Sequence, residues 1–194
     1  MNTLIDDRES PDSPKKFILK QIDVDLAMSL NKQWHSRLPE TVKGNLLRNR
    51  NYIFFGAFYK NNYFAAAIWT TPVAANRLRD GQNCLELRRL AISDDAPKYT
   101  ATWMISKMIK VIRKELPSVH TLVSYQDTGV HTGTIYAASN WVCDQESKNY
   151  IPWSNEKRIR KSKVQSDSPK KRWIFKLKEP TNENSNSINE LSFG

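Results

Sequence analysis

Side chains that move protons or donate hydrogen bonds are concentrated in the run Ser124-Tyr125-Gln126-Asp127-Thr128-Gly129-Val130-His131-Thr132-Gly133-Thr134-Ile135-Tyr136. A carboxylate such as Asp127 can orient an incoming amine or take its proton. A phenol such as Tyr136 or Tyr125 can protonate a leaving thiolate. Gly129 and Gly133 permit tight backbone turns between them. The plainer reading is a glycine-rich loop with Asp127 as a helix cap. The convergence of polar groups favours the chemical one.

A second group of residues surrounds the turn Asp94-Asp95-Ala96-Pro97-Lys98-Tyr99-Thr100-Ala101-Thr102. It follows an apolar run and opens a helical pattern, so free backbone N–H groups and the positive end of a helix dipole gather there. Thr100, Ala101 and Thr102 are small enough to let a ligand approach, and Arg88, Arg89 and Lys98 can balance phosphate charge. Neither GxGxxG nor GK[ST] is present, which argues against nucleoside triphosphate chemistry. An ordinary strand-to-helix turn capped by aspartate would read the same way.

The histidines are less informative. His35 ends a helical pattern in Trp34-His35-Ser36-Arg37, His120 starts a strand pattern, and His131 lies in the polar run. A lone histidine is more often structural than catalytic. A metal set of His35, Asp127 and His131 is conceivable, but the spacing selects no metal. Cys84 and Cys143 form no CxxC pair, which fits free thiols in a reducing cytoplasm.

Cations cluster at Lys157-Arg158-Ile159-Arg160-Lys161-Ser162-Lys163 and again at Lys170-Lys171-Arg172, with Trp153 and Trp173 flanking them. Such a run can grip phosphates while the aromatics stack on bases; it also suits a solvated loop. The formal net charge of +10 and a pI near 9.6 add to the first reading, because a positive field draws polyanions.

These residues need a scaffold. Strands are expected at Phe17 to Ile22, Tyr52 to Tyr59, Tyr63 to Thr71, Cys84 to Ile92, His120 to Tyr125, and Trp173 to Leu177. Another starts at Trp141-Val142-Cys143. Lys60-Asn61-Asn62 reads as the tight turn of a hairpin. Helices are expected over Val24 to Trp34 (apolar Leu26, Met28, Leu30 and Trp34, capped by Asp23), about Lys98 to Leu116 (apolar Met104, Ile105, Met108, Ile109 and Ile112) and Gly133 to Ser139. The alternation implies an α/β fold with a mixed central sheet flanked by helices.

Residues 1–15 read as a disordered arm, 16–178 as one domain, and 179–194 as a disordered tail. The polar ends account for the low mean hydropathy of −0.63. No secretory signal or membrane-spanning stretch is apparent, so a cytoplasmic setting is expected.

Three blocks carry a family resemblance. They are Glu86-Leu87-Arg88-Arg89-Leu90-Ala91-Ile92-Ser93-Asp94-Asp95-Ala96-Pro97-Lys98, Ser124-Tyr125-Gln126-Asp127, and His131-Thr132-Gly133-Thr134-Ile135-Tyr136-Ala137-Ala138-Ser139-Asn140-Trp141. Together, over about residues 35 to 177, they resemble the phage Mom-like DNA-modification family, which has the GNAT acyl-CoA N-acyltransferase fold. The resemblance implies a splayed mixed sheet around acetyl-CoA or another acyl-CoA, with the pyrophosphate on the turn from Pro97 to Thr102. Arg89 and Thr102 match family positions tied to the acyl-CoA. Leu90, Ile92, Pro97, Lys98, Thr100 and Ala101 lie in the same stretch. Asp127 and Tyr136 match positions tied to catalysis, with Ser124 and Tyr125 in the same block, and His35 falls where the family tends to carry a histidine. The implied reaction places a methylcarbamoyl-type group on the exocyclic N6 of adenine in double-stranded DNA, shielding phage DNA from restriction. It leaves a part for iron open. Gln126 replaces a common alanine, Thr128-Gly129-Val130-His131 lacks a common proline, and Ser36 stands where an aromatic is usual.

Two other readings compete. One is a GNAT N-acetyltransferase for a small amine or a protein lysine. The other is a non-catalytic basic protein that coats nucleic acid.

Overall fold

The computed structural model describes residues 9–34, 42–72, 83–147 and 168–177. Among them the chain runs β1 (Ile18–Gln21), α1 (Val24–Trp34), α2 (Lys43–Leu47), β2 (Tyr52–Tyr59), β3 (Asn62–Thr70), β4 (Cys84–Ile92), α3 (Thr100–Glu115), β5 (Thr121–Asp127), α4 (Thr134–Ala137), β6 (Val142–Ser147) and β7 (Lys170–Lys176). The seven strands form one sheet in the order β1-β2-β3-β4-β5-β7-β6. Only β4 and β5 pair in parallel; the other neighbours are antiparallel. This is the mixed α/β architecture expected from the sequence.

Local chemistry explains the elements. Lys60 and Asn61 both have positive φ, which matches a two-residue hairpin turn between β2 and β3. Asp23 accepts a hydrogen bond from the Leu26 N–H at 2.8 Å and so caps α1. The buried face of α1 is Val24, Ala27, Leu30 and Asn31. Leu26 and Met28, expected on that face, are only half-buried, because the sheet selects the stripe through Val24 and Ala27. On α3 the expected face holds: Met104, Ile105, Met108, Ile109 and Ile112 are buried.

The sheet is covered on both faces. On one, α3 and α4 pack over Phe55, Ala57, Ala65, Ala67, Trp69, Leu85, Leu87 and Leu122. The Trp69 indole N–H meets Met108 Sδ at 3.1 Å beneath α3. Each fully buried Leu, Ile, Met or Phe side chain of this cluster contributes about 1.5–3 kcal/mol. On the other face α1 and α2 bring Val24, Ala27 and Leu46 onto Phe54 and Ile68.

Residues 9–15, read from the sequence as part of a loose arm, are held on the fold. Pro11 is buried, Ser10 donates to the Asp95 carbonyl at 2.5 Å, and Glu9 pairs with Lys60 at 2.6 Å. Ser13 caps a single 3-10 turn, Pro14–Lys16. Partners distant in the chain make this anchoring, so composition alone could not show it.

Candidate active site

The parallel pair at the centre of the sheet opens into a fork. Strands β4 and β5 are in register from Cys84 opposite Thr121 to Leu87 opposite Ser124, and pairing stops there. Strand β4 continues to Ile92 against β3, and β5 continues to Asp127 against β7. The cause is visible in the β3–β4 register, where Trp69 faces Leu87 and Ile68 faces Arg89. Arg88 is therefore an extra residue, a bulge that twists β4 away from β5. Beyond it, one edge of β4 from 88 to 92 has no partner strand among the described residues.

The end of β4 leads into the N-terminus of α3. Tyr99 precedes that helix in the left-handed region, with φ 69°, and is 79% exposed. No side chain caps the helix. The plainer sequence reading puts an aspartate cap here, but the Asp95 carboxylate turns onto the Ser93 hydroxyl. Thr100 is occupied, its N–H and hydroxyl both bonding the Pro97 carbonyl, whereas the N–H groups of Ala101 and Thr102 have no partner among the described residues. They form a small anion cradle at the positive end of a 16-residue helix. Leu90 and Ile92 pack on the core beneath the fork, and Pro97 is half-buried while Lys98 is exposed.

Tyr136 stands on α4 at the base of the fork. It is 8% exposed, its ring stacks on Trp173 at 5.5 Å, and it meets Trp141 edge-on at 5.6 Å. Its hydroxyl lies 2.9 Å from Ser124 Oγ. Ser124 gives its own proton to the Leu87 carbonyl at 3.1 Å, so the tyrosine hydroxyl is the donor in the first bond. Burial raises the Tyr136 pKa above its ordinary 10.0, and the Ser124 hydrogen bond opposes that rise only in part. A phenol in this state stays protonated at neutral pH. It is a proton donor, placed where the two strands part.

Asp127, at the tip of β5, is in a different situation. Its carboxylate accepts from the Gly129 N–H at 3.0 Å, from the Ser168 hydroxyl, and from the Lys170 ammonium. Those donors occupy the carboxylate. It ties the turn after β5 to the start of β7. Next to it, Gln126 is 3% exposed, donates to the His131 carbonyl at 2.5 Å and accepts from the Trp173 indole at 2.8 Å. Gly133, with φ 79°, packs on Gln126 and Trp173 so closely that a Cβ there would strike both. The turn from Thr128 to Gly133 is thus pinned from below and from the side.

The basic residues of β7 differ from their sequence reading. Lys170 pairs with Asp127, Lys171 with Glu146 at 3.6 Å, and Arg172 with Asp144. The Asp144 hydrogen bond raises the Arg172 pKa. Their charge is matched across neighbouring strands rather than presented to phosphate. Trp173, expected to stack on bases, is committed to Tyr136 and Gln126. Lys157, Arg158, Arg160, Lys161, Lys163, Trp153 and His35 lie outside the described residues.

Arg89 forms no ion pair among the described residues; its guanidinium donates to the Arg88 carbonyl at 2.8 Å, and the Glu86 carboxylate favours its charged form. Partial burial lowers its pKa, and the adjacent Arg88 lowers it further. Phe54, Ile68 and Arg89 form one cross-strand row, so Arg89 stands on the α1 side of the sheet, opposite α3. Tyr125 is 40% exposed and lies opposite Arg172. His131 is exposed. Among the described residues, no group of three or more His, Cys, Asp and Glu could hold a metal ion. No helix there is long and apolar enough to cross a membrane. Ser168 and Asn31 are the site-region residues that sequence reasoning passed over; Ser168 acts through Asp127, far away in the chain.

Comparison with known proteins agrees with this geometry. A model of the Mom protein family matches residues 16–192. Methylcarbamoylase mom of Escherichia phage Mu is 30% identical over 100 residues, covering 48% of this chain and 42% of that protein. The match therefore spans about two fifths of the curated relative's length. Among solved structures, the ribosomal-protein-S18-alanine N-acetyltransferase of Escherichia coli superposes with a TM-score of 0.58 at 12% identity, covering 87% of this chain and 97% of that one. A Bacillus subtilis acetyltransferase in complex with CoA superposes with a TM-score of 0.57 at 9% identity, covering 84% and 99%. The fold is that of the GNAT acetyltransferases.

Proposed function

The chain belongs to the Mom protein family, and from that premise we propose that it transfers a group from an acyl-CoA to the exocyclic N6 of adenine in duplex DNA. The name of the phage Mu relative points to a methylcarbamoyl-type group. The observation that carries the reading is the Tyr136–Ser124–Leu87 chain at the fork, a protonated phenol held where a thiolate would leave.

The residues suit an acyl-CoA. Ala101 and Thr102 would hold its phosphates at the start of α3, and the free edge of β4 would pair with its extended arm. The thioester supplies an activated carbonyl. The amine nitrogen forms the new bond to that carbon as the carbon–sulfur bond breaks, and the amine proton passes to solvent. Tyr136 gives its proton to the departing sulfur, and its phenolate regains one from solvent, which balances the proton the amine released. Asp127, clamped by Lys170, holds the turn that carries α4. An N6 amine inside a base stack is out of reach, so the base is extruded before reaction. Its lone pair is delocalised into the ring, so positioning carries much of the rate. Arg89, matched by the resemblance to the acyl-CoA, stands on the α1 side and would instead meet a phosphate of the acceptor strand. Such a modification would protect phage DNA from restriction in the host cell.

Mass spectrometry of nucleosides from plasmid DNA, recovered from bacteria expressing the protein, tests this. A new deoxyadenosine derivative, absent with Tyr136→Phe, is the expected result. An unmodified profile from well-expressed folded protein would move the acceptor to a small amine or a lysine.

A further inference from the structure

Two buried side-chain atoms have no hydrogen-bond partner among the described residues: Asn31 Oδ1 and Trp141 Nε1. Asn31 is 7% exposed. It follows Ala27 by one helical turn and Val24 by two, so it lies on the stripe of α1 that faces the sheet. Its Nδ2 donates one N–H to the Ala27 carbonyl at 2.9 Å, while Oδ1 has no donor among the described residues. A buried carboxamide oxygen without a donor is destabilising, and an apolar side chain would remove that cost.

Its place in the fold suggests what it serves. Helix α1 starts beside β2, where the Ile22 N–H donates to the Phe54 carbonyl, and it packs across β3 onto β4. Its C-terminal half therefore lies toward β4. The row beneath runs Phe54, Ile68, Arg89. The first two pack with Val24 and Ala27; the third is a half-buried guanidinium that forms no ion pair among the described residues. One turn past Ala27, the stripe changes from apolar to amide as the row changes from apolar to guanidinium. That end of the row borders the fork, on the face opposite α3.

We propose that Asn31 reads the acceptor: its Oδ1 accepts one N–H of the exocyclic amine of an extruded adenine, with Arg89 on an adjoining phosphate. A carboxamide is suited to this purine edge. This inference rests on the adenine reading above. Asn31 acts as a positioning and specificity residue, holding the amine by one hydrogen while the nitrogen faces the thioester.

The test uses the full chain as wild type, Asn31→Leu and Asn31→Ala. Fluorescence anisotropy measures binding to short duplexes that carry, opposite an abasic site, either adenine or unsubstituted purine, which has the same ring without the amine. Thermal unfolding is followed in parallel. Wild type is expected to prefer the adenine duplex by about tenfold, as one hydrogen bond allows. Both variants should bind the two duplexes alike, and Asn31→Leu should melt at or above the wild-type temperature. A preference that survives in the variants would overturn the assignment while leaving the adenine reading intact. A wild type that does not distinguish the duplexes would remove the adenine reading and Asn31's role together. Asn31→Ala decides the matter if leucine is poorly accommodated.

Discussion

Tyr136 and Asp127 flank the same turn, and their surroundings are opposite in kind. Tyr136 is enclosed by Trp173, Trp141 and Ser124, and burial holds it in its neutral form. Asp127 is half-buried and saturated with donors, a lysine among them. One residue holds a neutral hydroxyl at the fork; the other has a carboxylate that fastens β5 to β7. On the proposed reading, proton donation and architecture are divided between two side chains that look like equal candidates for catalysis in the sequence.

The largest expected effect sharpens that division. Tyr136→Phe keeps the ring packing and removes the proton, so kcat should fall about 10²–10⁴-fold with little change in melting temperature. Gly133→Ala should come next, costing about 2–3 kcal/mol in denaturant unfolding, since the backbone is left-handed there and the new methyl meets Gln126 and Trp173. Asp127→Ala should cost about 2 kcal/mol, because it leaves Lys170 without its counter-charge. Lys170→Met in that background should restore part of the loss, whereas a fully additive double mutant would mean the clamp has no weight. The smallest effect belongs to Lys171→Ala, whose more exposed pair with Glu146 should contribute under about 0.5 kcal/mol.

The pH dependence separates the two residues again. The folded-state pKa of Tyr136 is raised, so its contribution to stability is complete below the unfolded value of 10.0 and is lost as pH climbs from there through the folded value. Wild type should therefore lose stability above about pH 10 more steeply than Tyr136→Phe in urea unfolding followed against pH. A similar slope for both proteins would contradict the buried, neutral phenol.

Much of the scaffold was legible because its signals are local. The run of β4 from Cys84 to Ile92, the hairpin at Lys60-Asn61 and the stripe on α3 rest on periodicity and turn chemistry within a few residues. α2 was missed because a five-residue helix with one buried leucine has no period to detect. β6 showed only its start, since its strand is almost wholly exposed and has no alternating face. Lys170-Lys171-Arg172 looked like a free cationic patch because their acidic partners sit on other strands. The site was legible in residue type, and Tyr136 and Ser124 do meet. The demotion of Asp127 and the idle oxygen of Asn31 depend on tertiary contacts that no spacing encodes.

The central claim is that Tyr136 protonates the departing sulfur. It is tested most directly by the rate of CoA thiol release in the presence of duplex DNA, for wild type and Tyr136→Phe, with acyl-CoA affinity measured by calorimetry on both. The expected result is a loss in kcat of about 10²–10⁴-fold at an acyl-CoA Kd within about twofold of wild type. A variant that releases thiol at the wild-type rate would contradict the account and return the proton to another group at the fork.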